Sequence, residues 1–473
     1  MMNHLLRGPA RLATAATAAL ALSGCASFSS DGGAGQVSEL TRERTGHAVS
    51  PQRSGADVDA AGARIDALLQ QPLTADAAVE IALLGHRGLQ ASFAALGIAE
   101  ADRVRAGRLA NPSLGFGRLG GAGVAEIDRS VMFNLLGLLT LPVASEVAQR
   151  QFEQAQYQAA LDAVGVAAQA RNAFFTAVAA QELVKYHEQV KDAADASSEL
   201  ARRMLQAGNF SRLAQLREQA FQADATANLV RARHQAVAER ERLVRALGLS
   251  GGQLAFQLPG RLPDLPAAAL EPRDAEQAAI DARLDVRIAR HQADATARSL
   301  GLTKATRFIN VLEAGYANKS QTGEARQNGY QIELELPLFD FGATRAARAE
   351  ATYMQAVHHL ADVAVRARSE VREAHSAYRT AYDVARHYRD DVVPLRQRIS
   401  EENLLRYNGM LASVFELLAD ARDQVASVTA AVEALRDFWV ADTHLQTALT
   451  ARSPGDAPAI VPGKAAAPTP AGH

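Results

Sequence analysis

The sequence predicts a mainly α fold with membrane β-strands: four β-strands plus long antiparallel coiled-coil helices in each protomer, arranged as an internal duplication. Three observations point there. Apolar residues recur every 3.5 positions over very long stretches, two pairs of short segments alternate with a period of two, and the whole pattern repeats after about 200 residues. Composition agrees: of 473 residues only 5% are aromatic while 48% are hydrophobic, with abundant Ala, Arg, Glu and Gln, the signature of a helical chain. A formal net charge of -2 is not that of a nucleic-acid protein, which would carry a basic patch.

The helices are the strongest signal. Val357, Leu360, Ala364, Ala367, Val371, Ala374, Tyr378, Ala381, Ala385, Tyr388, Val392, Leu395 and Ile399 alternate spacings of 3 and 4. After the turn "YNGM" the seam resumes at Val414, Leu418, Ala421, Val425, Val428, Val432, Leu435 and Trp439. A sustained 3.5-residue repeat means coiled-coil packing, and the short turn makes the two helices antiparallel. The first half repeats the plan with Ala159, Ala163, Val166, Ala170, Ala173, Ala177, Ala180 and Val184, then Leu213, Leu216, Ala220, Ala223, Ala227 and Val230. At 1.5 Å per residue, a helix of about 60 residues reaches roughly 90 Å, far more than a globular core needs.

The strand segments are 111–119 with 130–141, and 308–317 with 328–338. About ten residues is the length of a tilted membrane strand. In "YQIELELPLFDFGATRAARAEA" Tyr330, Ile332, Leu334, Leu336 and Leu338 share one face, and Gln331, Glu333 and Glu335 the other. Past Pro337 and Gly342 the pattern turns helical without a conventional loop. Four strands cannot close a barrel, and an open edge is not viable in lipid, so several chains are required. The apolar face would meet lipid, while Glu333 and Glu335 face a wet lumen and favour cations.

The duplication sets the domain plan. "DAAVEIALLGHRGLQAS" matches "DAEQAAIDARLDVRIAR", and "LQAGNFS" aligns with "RYNGMLA" so that Gly208 meets Gly409. The repeats span 72–248 and 273–451, joined by a Gly/Pro-rich linker at 249–272. Residues 26–56 are Ser/Gly-rich and read as unstructured, as does the Ala/Pro tail at 452–473. Residues 1–24 form a secretory signal: Arg7 and Arg11 precede a short apolar core. It ends in "LSGC", and Cys25 is the sole cysteine. This resembles the bacterial lipobox, in which the thiol takes the lipid; 25–71 is then a lipidated N-terminal segment and linker. Ala26 follows Cys25 in place of an aspartate, which by analogy with bacterial lipoproteins fits the outer membrane.

From about 70 to 450 the chain resembles the TolC family of outer-membrane efflux ducts, in particular its lipoprotein members. The resemblance rests on the duplication, on "LPLFDFGATRAARAEA", and on "VVPLRQRISEENLLRYNGMLASVFELLADARDQ". It implies a TolC-like α/β barrel closed as a homotrimer, with twelve strands in the outer membrane and a twelve-helix periplasmic tunnel. It further implies a passive duct for a tripartite efflux system, served by a periplasmic adaptor (a membrane fusion protein) and an inner-membrane pump of the RND type. The loops near 120–128 and 318–327 would lie outside the cell. The turns containing Gly208, Asn209, Asn408 and Gly409 would lie deep in the periplasm and dock the adaptor. In the first copy "LPVASEVAQ" lacks the Phe-Asp-Phe-Gly of the second, which leaves that strand exit open.

The second hairpin carries Pro394 where the first has Ala193. Proline within a helix removes a backbone hydrogen bond and commonly kinks it. Pro394, Glu416 and Asp420 are therefore candidate gate residues, the acids pairing with Arg212 or Arg217 of a neighbouring hairpin. No Walker loop, HExxH, CxxC or GxSxG motif is present, so no catalytic residue and no cofactor are expected. His358, His359, His375 and His387 share a helix, but their spacing is not i,i+4 and no metal site is expected. Cargo stays open between drugs, other toxic organics and heavy-metal ions. The alternative is an outer-membrane lipoprotein scaffold of coiled coils without transport.

Overall fold

The protein is described by a computed structural model covering residues 26–121, 123–271 and 274–452. Four helices come first: α1 (Ala34–Thr45), α2 (Gly55–Leu69), α3 (Ala75–Gly85) and α4 (Arg87–Ala106). Strands β1 (Ser113–Gly121) and β2 (Val124–Asn134) lead into α5 (Leu135–Gln206) and α6 (Arg212–Leu247). The second copy repeats this with α7 (Ala275–Ala282), α8 (Leu284–Ala305), β3 (Val311–Gln321) and β4 (Gln327–Glu335). It continues through α9 (Ala343–His387), a π turn (Tyr388–Val392), α10 (Val393–Asn408) and α11 (Val414–Thr450). The mainly helical fold with four strands is as expected.

Two compact units cut across the sequence repeats, each drawing on both. The first takes the described residues up to Val37, Ser92–Ala159 and Asp285–Ala364. It holds one antiparallel sheet in the order β1-β2-β3-β4. Residues 26–33 are not loose there. Glu100, 4% exposed, accepts from the Ser29 amide at 2.7 Å. Arg103 and Arg108 donate to the Ser27 and Ala26 carbonyls, each at 3.0 Å. The reading of 26–56 as unstructured is thus corrected twice, by this tether and by α1. Composition hid the apolar spacing of Val37 and Leu40, both buried. The expected tail lies outside the described residues, apart from its first residue, Arg452.

The second unit takes Ser38–Ala91, Ala160–Leu284 and the described residues from Val365. One core joins Ile81, Phe174, Val178, Leu243 and Leu247; another joins Val371, Tyr378, Ala381, Phe438 and Leu445. The α9 seam is buried as read, from Ala367 through Ala385. On α11 the deepest apolar residues are Ala434, Phe438, Ala441, Leu445 and Ala448, a heptad row one residue off the expected Leu435 and Trp439. The linker is strapped down: Trp439 Nε1 donates to the Pro263 carbonyl at 3.0 Å, and the Leu262 amide donates to Glu182 at 3.0 Å.

The seam expected on α6 needs correction. Within the chain, α6 buries Ala214, Glu218, Ala225 and Leu229. Leu213, Leu216 and Val230 are 59%, 49% and 62% exposed, and Val237 extends their row at 61%. The heptad is present, but no described residue covers this part of it.

Both strand exits also differ from expectation. β2 ends at Asn134 rather than near 141, because the Asn134 Oδ1 accepts from the Gly137 amide at 2.6 Å and caps α5. The run "LLGLLTLP" then continues as helix with Pro142 inside it; periodicity alone does not separate a buried strand from a helix. The second exit has a turn where none was expected, between Glu335 and Ala343. The Phe341 amide donates to the Pro337 carbonyl at 2.7 Å. Asp340 accepts from the Gly342 amide at 2.9 Å.

Candidate functional site

The sheet sorts its residues by face because paired residues in an antiparallel ladder point the same way. Leu114 pairs with Val131, which pairs with Tyr316, which pairs with Tyr330. The same face carries Phe116, Phe133, Leu312, Ile332 and Leu334, together with Arg118, Arg129, Asn318 and Asn328. These side chains are open in the single chain: Tyr330 is 86% exposed, Leu114 78% and Phe116 72%. The opposite face carries Gly115, Gly117, Glu126, Asp128, Ser130, Glu313, Ala317, Lys319 and Gln331, with Leu119, Val124, Met132 and Val311 as its larger apolar members. Lys319 pairs with Glu126 at 2.5 Å.

Glu333 and Glu335 lie on this polar face as expected. Glu313 joins them, directly opposite Glu333 in the ladder. Sequence reading missed Glu313, although its phase relative to Val311 and Gly315 would have found it. Like charges facing one another across a ladder destabilise it. Glu335 Oε1 is engaged, accepting from Asn310 Nδ2 at 3.0 Å. Outer strands β1 and β4 each have one neighbour in the chain. A row of unpaired amides and carbonyls is thereby left on either side.

In the second unit the two hairpin turns share one hydrogen-bond pattern. At the first, the Asn209 amide donates to Met204 O at 2.9 Å and Gly208 to Leu205 O at 3.0 Å. At the second, the Leu411 amide donates to Arg406 O at 2.8 Å and Met410 to Tyr407 O at 2.9 Å. Both are Schellman closures, whose penultimate residue is left-handed. Gly208 has φ +76, yet Gly409 has φ -82 and Met410 has φ +58. The equivalent of Gly208 is therefore Met410, not Gly409. Asn209 and Asn408 are exposed at these turns.

Pro394 stands at the start of α10, directly after the π turn. The wider turn accommodates the carbonyl that proline leaves without a donor. Glu416 is engaged in a capping box: it accepts from the Ser413 amide at 3.2 Å, and its own amide donates to Ser413 Oγ at 3.3 Å. Asp420 is 6% exposed, and its Oδ1 has no partner. Arg212 and Arg217 are exposed on α6. His358 and His359 are exposed, and His387 Nδ1 lies 2.9 Å from Asp391. Among the described residues no three His, Cys, Asp or Glu side chains gather as metal ligands. None of their helices is long and apolar enough to cross a membrane. Cys25 lies outside the described residues.

No protein-family model matches the sequence, and no curated protein does. Solved structures do. CusC, studied for its transmembrane channel formation, is 15% identical with a TM-score of 0.68, covering 80% of this chain and 92% of its own. The outer membrane protein VceC of Vibrio cholerae is 16% identical with a TM-score of 0.65, covering 80% and 96%. The open MtrE outer membrane channel of Neisseria gonorrhoeae is 15% identical with a TM-score of 0.66, covering 79% and 88%. At such identities the likeness concerns the backbone: the chain has the fold of the TolC-type outer-membrane channels.

Proposed function

We propose that the chain is the outer-membrane duct of a tripartite efflux system, conducting cargo passively as a homotrimer. The observation that carries this is the two-faced sheet with two open edges. A face dominated by exposed aromatic and aliphatic side chains fits lipid, and a face dominated by small and charged residues fits a water-filled lumen. Three chains of four strands would join edge to edge as twelve, leaving no strand edge in lipid. The unpartnered α6 row of Leu213, Leu216, Val230 and Val237 supplies a matching seam for the next protomer. Work of this kind needs no catalytic group.

On this reading Cys25 bears the lipid anchor, Glu313, Glu333 and Glu335 form acidic rings, and the turns at Gly208 and Met410 meet a periplasmic adaptor serving an inner-membrane pump. Asp420 is a better gate residue than Glu416, whose carboxylate is held by its cap. The duct's cargo classes are drugs, other toxic organics or heavy-metal ions. The deciding experiment is conductance of the purified trimer in a planar bilayer. Discrete steps are expected, with cation preference reduced by Glu333→Gln and Glu335→Gln. A folded trimer without conductance would instead support the coiled-coil scaffold. Fatty-acid labelling lost in Cys25→Ser checks the anchor.

A further inference from the structure

The sheet's exposed apolar row does not stop where β4 ends. Leu336 and Leu338 continue the alternation of Ile332 and Leu334, and both are exposed. In the turn that follows, Phe339 is fully exposed and Phe341 more than half so. Phe341 has φ +49, a left-handed conformation that is costly for a residue with a side chain. Phe308, just past the end of α8, is also more than half exposed. The two segments touch. Arg307 Nε donates to the Phe341 carbonyl at 3.3 Å, and Arg345 donates to the Thr306 carbonyl at 2.6 Å. All of these residues belong to the first unit.

Cations border this patch. Arg307 lies over the Phe308 ring, 4.6 Å from its centroid. Beyond its Nε bond, its terminal nitrogens have no partner among the described residues. Lys304, exposed in the last turn of α8, has none there either. The Thr306 amide still donates to the Leu302 carbonyl at 3.0 Å, so helical geometry runs on past Lys304 and sets Lys304 and Arg307 on one side. The acid of the turn, Asp340, is engaged locally, accepting from the Gly342 amide and the Thr344 hydroxyl.

Water is a poor neighbour for three phenylalanines and two leucines presented together, and contiguous patches of this kind mark contacts with lipid or protein. Two features favour lipid. The patch continues the sheet face that fits lipid, and its cations lack a counter-charge. An arginine whose stem lies on an aromatic ring while its head stays free is placed to reach the charged surface of a bilayer.

We propose that this strand exit binds an anionic phospholipid, its phosphate paired with Lys304 and Arg307 and its acyl chains against Leu338, Phe339 and Phe341. The inference rests on the reading of the sheet as membrane-spanning and adds a headgroup site to it.

The chain has a single tryptophan, Trp439, so Phe339→Trp in a Trp439→Phe background places the only indole at this turn. The full-length protein is reconstituted in phosphatidylcholine vesicles containing a small share of brominated lipid. Brominated phosphatidylglycerol should quench the emission at about fivefold lower mole fraction than brominated phosphatidylcholine, the effect of one basic residue beside an anionic lipid. The preference should shrink in Lys304→Gln and vanish in Lys304→Gln with Arg307→Gln. Arg326→Gln, exposed in the loop at the far end of the sheet, should leave it unchanged. Circular dichroism checks folding, and the exposed Lys304→Gln decides the matter should the double variant not fold. Equal quenching by the two lipids, or an undiminished preference in Lys304→Gln, overturns the proposal. Bilayer conductance on the same preparations keeps the two readings apart. Conductance without quenching by either lipid puts the turn in water or against a protein, which overturns the lipid site and leaves the duct standing. A phosphatidylglycerol preference without conductance leaves the lipid site and sinks the duct.

Discussion

The two copies close their hairpins with the same hydrogen bonds but with different residues under strain. In the first, α5 is an unbroken helix of 72 residues, and the left-handed position falls on glycine. In the second, the descending helix is broken by a π turn before Pro394, and the left-handed position falls on Met410. A side chain in that conformation costs roughly 1–2 kcal/mol. The strand exits diverge in the same way: an asparagine cap in the first copy, a turn with two left-handed residues, Phe341 and Gly342, in the second. Duplication preserved the topology, and the strain accumulated in one copy.

The largest test of that asymmetry is at the exits. A Cβ added to Gly342 would lie 2.1 Å from the Arg307 carbonyl oxygen, on backbone with φ +70. Gly342→Ala combines a left-handed penalty with a backbone clash and should cost about 2–4 kcal/mol. Its counterpart Asn134→Ala removes only a cap, about 1 kcal/mol. Thermal unfolding of both variants measures the gap. Equal losses would mean that the second exit is no more constrained than the first.

The turns give a smaller, reciprocal effect. Met410→Gly should stabilise by about 1 kcal/mol, and Gly208→Met should destabilise by a similar amount. Gly409→Ala should be near neutral, since φ -82 suits any residue. Were Gly409→Ala the damaging change and Met410→Gly silent, the two turns would align by their glycines after all.

That misalignment shows what the sequence can and cannot convey. A glycine pair is a natural anchor for aligning two turns, yet the hydrogen bonds and the N-caps Ser211 and Ser413 are offset by one residue from it. The α9 seam was legible because its apolar period and its burial coincide within one chain. The α6 seam was legible as a period but not as a contact, because periodicity records that a face is apolar and not what covers it. Phe438 was passed over for Trp439 because adjacent aromatics fit two neighbouring heptad phases. The sheet's faces followed from alternation, whereas the place of Glu313 opposite Glu333 emerges only when β3 and β4 are paired. The burial of Glu218 left no trace, since an acid on an amphipathic helix ordinarily reads as solvated.

The smallest effect concerns charge near the two turns. In the first copy Glu199 faces Arg202 at 2.8 Å and Arg203 at 2.7 Å. Hydrogen bonds from Arg202, then Arg203, hold its carboxyl down at about 2, below the usual 4.5. A carboxyl lowered by folding contributes stability above its unfolded value and loses it as pH falls through the folded one. The advantage of the wild type over Glu199→Gln should therefore be constant above about pH 5 and vanish toward pH 2. It should also be slight and shrink in salt, because the pair is exposed and screened. In the second copy the acid beside the turn, Glu416, serves a capping box, a task glutamine also performs. Glu416→Gln should change stability by no more than a few tenths of a kcal/mol, whereas Glu416→Ala removes the reciprocal bond to Ser413. Denaturation followed across pH in low and high salt separates the two designs. A wild-type advantage over Glu199→Gln that grows on acidification, or that survives high salt intact, would show that the first turn is not held by exposed charge.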